Sequence, residues 1–220
     1  MLRDERVIGC VSTWTEETYS SRMFRQVEFL LEELEMGLGE VDLFAAASGP
    51  GSFTGLRVGL AAIKGWAEVY GGPVTGISAL EAIAEESRSG PGVLVPTFDA
   101  RRGEVYFGVY RRGASEISNL VLEGEHSVAT PVDFLNGLRE RMGSEPFTIV
   151  TPTPEVLLAA LEVGQSSGQA TRVEVVPNIL APAVGLLAAR RARNGLTGDA
   201  LSLEADYVRR TDAELKWKAL

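Results

Sequence analysis

The sequence predicts an α/β protein of two lobes, each built from alternating strands and helices. Its 220 residues are 45% hydrophobic, enough to bury one large core or two smaller ones. Short apolar runs alternate with stretches of helical periodicity along most of the chain. The turn-forming segment 99–103 separates two successive runs of this kind, so we place the lobes at residues 1–99 and 100–220.

The first lobe is predicted to begin with a strand at residues 6–11 and a helix at residues 18–36. Glycines that follow this helix are expected to end it. A strand at residues 41–47 then leads through a glycine-rich turn into a helix at residues 53–70. Apolar residues recur along the first helix at steps of three and four: Met23, Val27, Leu30, Leu31, Leu34 and Leu38.

A strand at residues 73–77, a helix at residues 78–88 and a strand at residues 93–98 complete this lobe. Ser78 is the expected N-cap of the helix, with Glu81 placed to close a capping box. The second lobe opens with a strand at residues 104–110, which is apolar on both faces and therefore predicted to be central. Weaker alternation follows, with strands at 117–122, 147–150 and 173–176 and helices at 132–142, 154–163 and 182–193.

Charge and cysteine content narrow the classes of function. Acidic residues number 30 and basic residues 21, and the net charge of −9 disfavours stand-alone binding of nucleic acid. Cys10 is the only cysteine, which excludes an internal disulfide and favours a reducing compartment. No apolar run reaches the roughly 18 residues that a membrane-spanning helix needs. We expect a cytoplasmic protein with no membrane role.

The turn at residues 49–55 (Gly-Pro-Gly-Ser-Phe-Thr-Gly) lies between the end of a strand and the start of a helix, where backbone N–H groups can meet an anion. It matches neither the Walker loop nor the dinucleotide fingerprint. Alternatively it is a tight turn, in which glycine supplies a positive φ and Ser52 or Thr54 caps the helix. The candidate anion- or nucleotide-binding residues are Gly49, Gly51, Ser52, Thr54 and, further along, Asp99.

Asp99 ends a strand, so it could hold a magnesium ion or position a phosphate. It could equally bond the backbone two residues on and start the turn. His126 is the only histidine, which with one cysteine excludes a zinc set of histidine and cysteine ligands. We predict no metal site and no catalytic residues.

The helix at residues 53–70 carries the small residues Gly55, Gly59 and Ala62 beside a stripe of larger apolar side chains. Small residues allow a neighbouring helix to approach closely. From the pattern alone the stripe is either part of the core or an interface between helices.

Residues 49–65 resemble the signature of the TsaB family, also called YeaZ, through Gly-Pro-Gly-Ser-Phe-Thr-Gly-Leu-Arg-Val-Gly and the Ala-Ala-Ile-Lys-Gly that follows. Residues 99–106 (Asp-Ala-Arg-Arg-Gly-Glu-Val-Tyr) resemble its second motif. The ending at residues 206–210, with Trp217 and Lys218, is similar to the Tyr-Leu-Arg close of those proteins.

This resemblance implies an actin-like (RNase H-like) fold and a pseudo-enzyme subunit. The partner would be a TsaD-type transferase, which makes threonylcarbamoyladenosine beside the anticodon of tRNA, together with a TsaE-type ATPase. The chain would meet tRNA only through the complex. It would hold no cofactor of its own, with ATP or ADP only at a partner interface. A homodimer in isolation is an open alternative.

The resemblance also implies that the helices at residues 18–36 and 53–70 form a bundle with the partner. The interface residues are then Met23, Val27, Leu30, Leu34, Leu56, Gly59, Leu60 and Ile63. Family members begin with two further strands, so we expect that the first lobe lacks them here and that Met1 is not the native start.

Two other classes of protein are alternatives. An active ATP-dependent carbamoyltransferase or sugar-kinase relative would use Asp99 and the glycine turn. A peptidase would need a nucleophile and base or a metal set, and the sequence supplies neither.

Overall fold

The computed structural model describes residues 1–13, 19–114, 120–164 and 172–209. The chain divides into two compact units, the first formed by Met1–Ala82 and Ile179–Asp206, the second by Ile83–Asn178 and Tyr207–Leu220. This division differs from the predicted one at residue 99. The first unit is discontinuous because a late helix returns to pack on its sheet.

The first unit begins with a short antiparallel pair, β1 (Leu2–Arg3) and β2 (Arg6–Val7). Helix α1 (Tyr19–Glu33) follows. It ends before the predicted residue 36, because Glu35 takes a positive φ of 51° and the N–H of Met36 bonds back to the Leu31 carbonyl. A 3-10 turn (Leu38–Glu40) comes next, and the predicted first helical residue, Thr18, is outside the described residues.

Two parallel strands, β3 (Phe44–Gly49) and β4 (Val74–Ser78), are joined by helix α2 (Phe53–Tyr70), whose predicted bounds are confirmed. Helix α6 (Ala181–Arg193) also packs on this pair. Side chains alternate between the two helices, as a strand requires. Those packed with α2 are Phe44, Ala46 and Val74, and those packed with α6 are Leu43, Ala45, Ala47 and Ile77.

Helix α3 (Ala79–Glu85) starts where the sequence predicts a cap. The Ser78 hydroxyl accepts hydrogen bonds from the N–H groups of Leu80 and Glu81, at 3.2 and 3.4 Å. The helix ends three residues earlier than expected, because Arg112 donates a 2.7 Å bond to the carbonyl of Ala84.

The second unit is built on a sheet of seven strands: β5 (Gly92–Arg101), β6 (Glu104–Phe107), β7 (Tyr110–Arg112), β8 (Leu120–Leu122), β9 (Ser127–Ala129), β10 (Phe147–Thr151) and β11 (Arg172–Val175). Its main order is β11-β10-β5-β6-β9, while β7 pairs with β5 and β8. Pairs of β10 with β5 and β11 are parallel, and the other pairs are antiparallel. Helices α4 (Pro131–Met142) and α5 (Leu158–Gly164) and a 3-10 turn (Pro154–Val156) complete the unit.

The single strand predicted at residues 104–110 is two strands. β6 pairs with the end of β5 and β7 with its start, so the chain breaks register at Gly108 and Val109. Strand β9 was not predicted, and residues 115–119 of the predicted strand 117–122 lie outside the described part of the chain. No helix within the described ranges is both long and apolar enough to span a membrane.

Candidate functional site

The glycine turn closes the end of β3 and starts α2. Gly49 has a φ of +130°, which a residue with a side chain rarely adopts. The Ser52 hydroxyl accepts a 3.3 Å hydrogen bond from the N–H of Gly55 and so caps α2. The alternative of a tight turn with a capping serine is therefore what the geometry supports, and Thr54 is exposed on the first turn of the helix.

The segment that ends the first unit closes over this turn. The N–H of Asp206 donates a 2.7 Å hydrogen bond to the Ser48 carbonyl. A Cβ atom on Gly49 would lie 2.3 Å from the Asp206 carbonyl oxygen, and one on Gly76 would lie 2.9 Å from the side chain of Leu203. The backbone of Asp206 thus occupies the space next to the Cα of Gly49.

This arrangement does not fit a nucleotide phosphate at the turn. The backbone of Asp206 already fills the space beside Gly49, and its Cβ is 3.2 Å from where a Gly49 Cβ would stand. Binding by Gly49, Gly51, Ser52 and Thr54 therefore gains no support from the geometry.

Asp99 is the candidate acid of the second unit, and it serves the hairpin between β5 and β6. Its Oδ1 accepts a 2.7 Å hydrogen bond from the N–H of Arg101, two residues on. Its own N–H donates to the Thr153 hydroxyl at 3.0 Å, and its carboxylate lies 3.3 Å from the Arg101 guanidinium. These bonds are those of the turn role that the sequence left open.

Arg209, in the final motif, binds the same hairpin. Its guanidinium donates a 2.8 Å hydrogen bond to the Ala100 carbonyl and forms an ion pair with Glu104. It also lies over the Tyr106 ring, 5.6 Å from the centroid. The ending of the chain thus holds the second motif in place. The remaining members of that ending, Arg210, Trp217 and Lys218, are outside the described residues.

Helix α2 turns its large apolar stripe towards the sheet. Leu56, Leu60 and Ile63 are only 9%, 6% and 5% exposed, and the last two pack in the core with Phe44 and Val74. This corrects the prediction that these three side chains meet a partner, because a partner could reach them only by unpacking the core. Gly59 is half-buried, and a Cβ there would meet nothing within 4 Å.

The predicted stripe of α1 faces the chain's own amino-terminal segment. Met23, Val27 and Leu30 line a groove of about 140 Å³ with residues of that segment and the start of α6. Leu30 and Leu34 also close on Gly9, where an added Cβ would lie 2.6 and 3.3 Å from their methyl carbons. All four are half-buried, so they are only partly open to another protein.

A different stripe of α2 faces outward. It follows steps of four, three, four and four residues, which keeps its members on one side of a helix. Val69 is 74% exposed, and a Cβ on Gly65 would meet nothing within 4 Å. Phe24 of α1, 50% exposed, meets Trp66 edge-on beside this helix, with centroids 6.1 Å apart. We call the stripe the small-residue face of α2: Thr54, Val58, Ala61, Gly65 and Val69.

The only histidine is engaged within the second unit. His126 Nε2 lies 2.7 Å from the hydroxyl of Tyr110, and the two rings stack. His126 is half-buried. The described residues contain no group of three histidine, cysteine, aspartate or glutamate side chains that could hold a metal ion.

The chain is similar to known proteins in both sequence and fold. A family model described as "TsaD: tRNA N6-adenosine threonylcarbamoyltransferase" matches residues 4–161. The Bacillus subtilis protein named tRNA threonylcarbamoyladenosine biosynthesis protein TsaB is 29% identical over 99% of this chain and 91% of that protein. The Escherichia coli protein of the same name is 32% identical, over 45% of this chain and 44% of its own length.

Among solved structures, YeaZ from Pseudomonas aeruginosa has a TM-score of 0.63 at 22% identity, covering 86% of this chain and 84% of that one. This likeness confirms the predicted fold class, an α/β protein with the fold of YeaZ. The chain belongs to the family that the matched model describes, and it is similar to TsaB (YeaZ) proteins along most of its length.

Proposed function

We propose that this protein is a non-catalytic subunit in the biosynthesis of threonylcarbamoyladenosine in tRNA, where it binds and supports a TsaD-type transferase. The observation that carries the proposal is the match to a TsaB protein along 99% of the chain. A TsaE-type ATPase is the further partner. Transfer chemistry belongs to the TsaD-type partner, and the sole histidine here is taken up by Tyr110.

The small-residue face of α2 is the surface that we assign to the partner. Its residues are apolar or small, and a Cβ added at Gly65 would meet nothing within 4 Å. Two helices pack at about 8–10 Å between axes, and the shortest distances need small side chains at the contact. An apolar helix of the TsaD-type protein would bury this face and extend the contact across Phe24.

The experiment is co-purification with the TsaD-type protein of the same organism, followed by size-exclusion chromatography with light scattering. We expect a stoichiometric heterodimer. Gly65→Leu should abolish it, since the new side chain projects into the space that the partner helix needs. Separate elution of the two wild-type proteins would contradict the proposal.

Gly137→Leu is the matched control. Gly137 is also exposed on a helix, α4 of the second unit, and an added Cβ there meets nothing within 4 Å. Both variants replace a helical glycine by a better helix former, so neither should lose stability. Loss of the heterodimer in Gly65→Leu alone would therefore identify the face.

A further inference from the structure

The hairpin between β5 and β6 ends in two arginines held in an unfavourable backbone conformation. Arg101, Arg102 and Gly103 have φ values of 64°, 59° and 75°. Glycine adopts such angles freely and asparagine tolerates them, whereas arginine pays a steric penalty. Two consecutive arginines at these positions therefore point to a use for their side chains. We call these two residues the arginine tip.

The arginine tip stands on a firmly held base. Asp99 is bonded through its N–H to Thr153 and through its carboxylate to the backbone of Arg101. On the other strand, Arg209 is paired with Glu104. A base fixed in this way presents the tip in one orientation, which lowers the entropy that a ligand must remove on binding.

Charge at the tip contrasts with the rest of the chain. The net charge of the whole protein is −9, yet Arg101 and Arg102 are adjacent at the tip and Arg209 lies at its base. The Arg101 side chain is 88% exposed, and an ion pair so open to solvent contributes little. Its guanidinium can therefore turn from Asp99 to an external anion at small cost.

We propose that the arginine tip contacts the sugar-phosphate backbone of tRNA when the protein is assembled with its TsaD-type partner. This inference rests on the proposed function, which brings tRNA to the complex. Arginine suits phosphate because its planar group can donate two parallel hydrogen bonds. Contacts to phosphate position a nucleic acid without reading its sequence. The tip is accordingly a positioning element for tRNA.

The test is the affinity of the assembled complex for an unmodified tRNA transcript, measured by fluorescence anisotropy across a series of salt concentrations. Each phosphate contact contributes about 0.7–0.9 to the slope of log K against log salt. The double variant Arg101→Asn, Arg102→Asn should lower that slope by about 1–2. Asparagine is tolerated at these backbone angles, so the hairpin should stay folded. Arg88→Gln removes one exposed arginine elsewhere in the same unit and should leave the slope unchanged.

An unchanged salt slope in the double variant would overturn the inference. It would also be overturned if the double variant weakened assembly with the partner in the absence of tRNA, because the tip would then bind an acidic protein surface. Failure of the wild-type proteins to assemble would instead refute the proposed function. In that case the inference fails with the proposed function, because the arginine tip contacts tRNA only in the assembled complex.

Discussion

The backbone of Asp206 lies so close to Gly49 that no side chain fits between them. A Cβ atom on Gly49 would stand 2.3 Å from the Asp206 carbonyl oxygen, while the N–H of the same aspartate donates to Ser48. The first signature motif and the carboxyl-terminal motif are therefore parts of one packed structure. The close approach of Asp206 therefore requires a glycine at position 49.

Gly49→Ala should destabilise the protein. The substitution places a side chain at a φ of +130° and against a backbone oxygen, and strain of this kind costs about 1–3 kcal/mol before any clash is counted. Urea unfolding measures the loss. Gly59→Ala is the control, since its Cβ meets nothing within 4 Å and alanine favours a helix. Equal stability of Gly49→Ala and the wild type would mean that the final segment does not close the turn.

Leu60→Ala and Ala61→Ser, at adjacent positions of α2, should differ sharply in the stability that they cost the protein. Leu60 is buried between the helix and the sheet, so its truncation should cost about 2–5 kcal/mol. Ala61 is exposed, and its change should stay within about 0.5 kcal/mol. Thermal and urea unfolding test both. A larger loss of stability in Ala61→Ser than in Leu60→Ala would mean that the stripe of larger apolar residues is the outer surface of α2.

Arg112→Lys should weaken the second unit although it keeps the charge. The guanidinium donates to the carbonyls of Ala84, Ser87 and Ser89 at 2.7–2.8 Å. A lysine ammonium is a single point and cannot span these acceptors in the same way. We expect a loss of about 1–3 kcal/mol in the free energy of unfolding. Arg88→Lys, at an exposed position nearby, should be neutral.

Glu174 should make stability depend on pH in the acid range. Burial raises the pKa of Glu174, but hydrogen bonds from the Ser87 side chain, the Arg88 N–H and the Ser89 side chain outweigh it and hold the pKa below 4.5. Since the unfolded chain binds the proton more readily, the stabilisation is present above the unfolded value and is lost as the pH falls through the folded pKa.

The measurement compares wild type with Glu174→Gln in urea unfolding from neutral pH down to about pH 3. The stability difference between the two should be largest near neutrality and shrink as the solution becomes acid. A difference that stays constant over this range would show that the carboxylate charge is not what holds residues 87–89.

Capping and turn residues in the sequence were enough to predict the helix ends that they mark. Helix α2 has a capping serine before it and Gly71, with a φ of 77°, after it, so both ends could be predicted. The start of α3 was likewise visible in Ser78. Its end was not, because Arg112 reaches Ala84 from 28 positions away. The break between β6 and β7 is hidden for the same reason, since it depends on where each strand pairs along β5.

The two apolar stripes of α2 show what periodicity leaves undecided. Both follow the helical repeat, and the pattern cannot say which one meets the sheet. Burial of Leu60 and Ile63 removes more apolar surface from water than burial of Ala61 and Gly65 would, and this difference selects the inner stripe. The prediction assigns the larger side chains of α2 to the partner, whereas the small residues are the ones on the outer side of the helix.

The discontinuous first unit has a consequence for how the protein forms during synthesis. The sheet of the second unit is complete once Val175 has been made, but β3 and β4 lack α6 until Arg193 and the Gly49 turn stays open until Asp206. Domains generally fold as units while the chain emerges from the ribosome. Here the sheet of the second unit can form before the first unit gains α6, whereas the contact of Arg209 with the hairpin between β5 and β6 comes after both. The helix face assigned to the partner therefore reaches its final setting only after α6 and Asp206 have been translated.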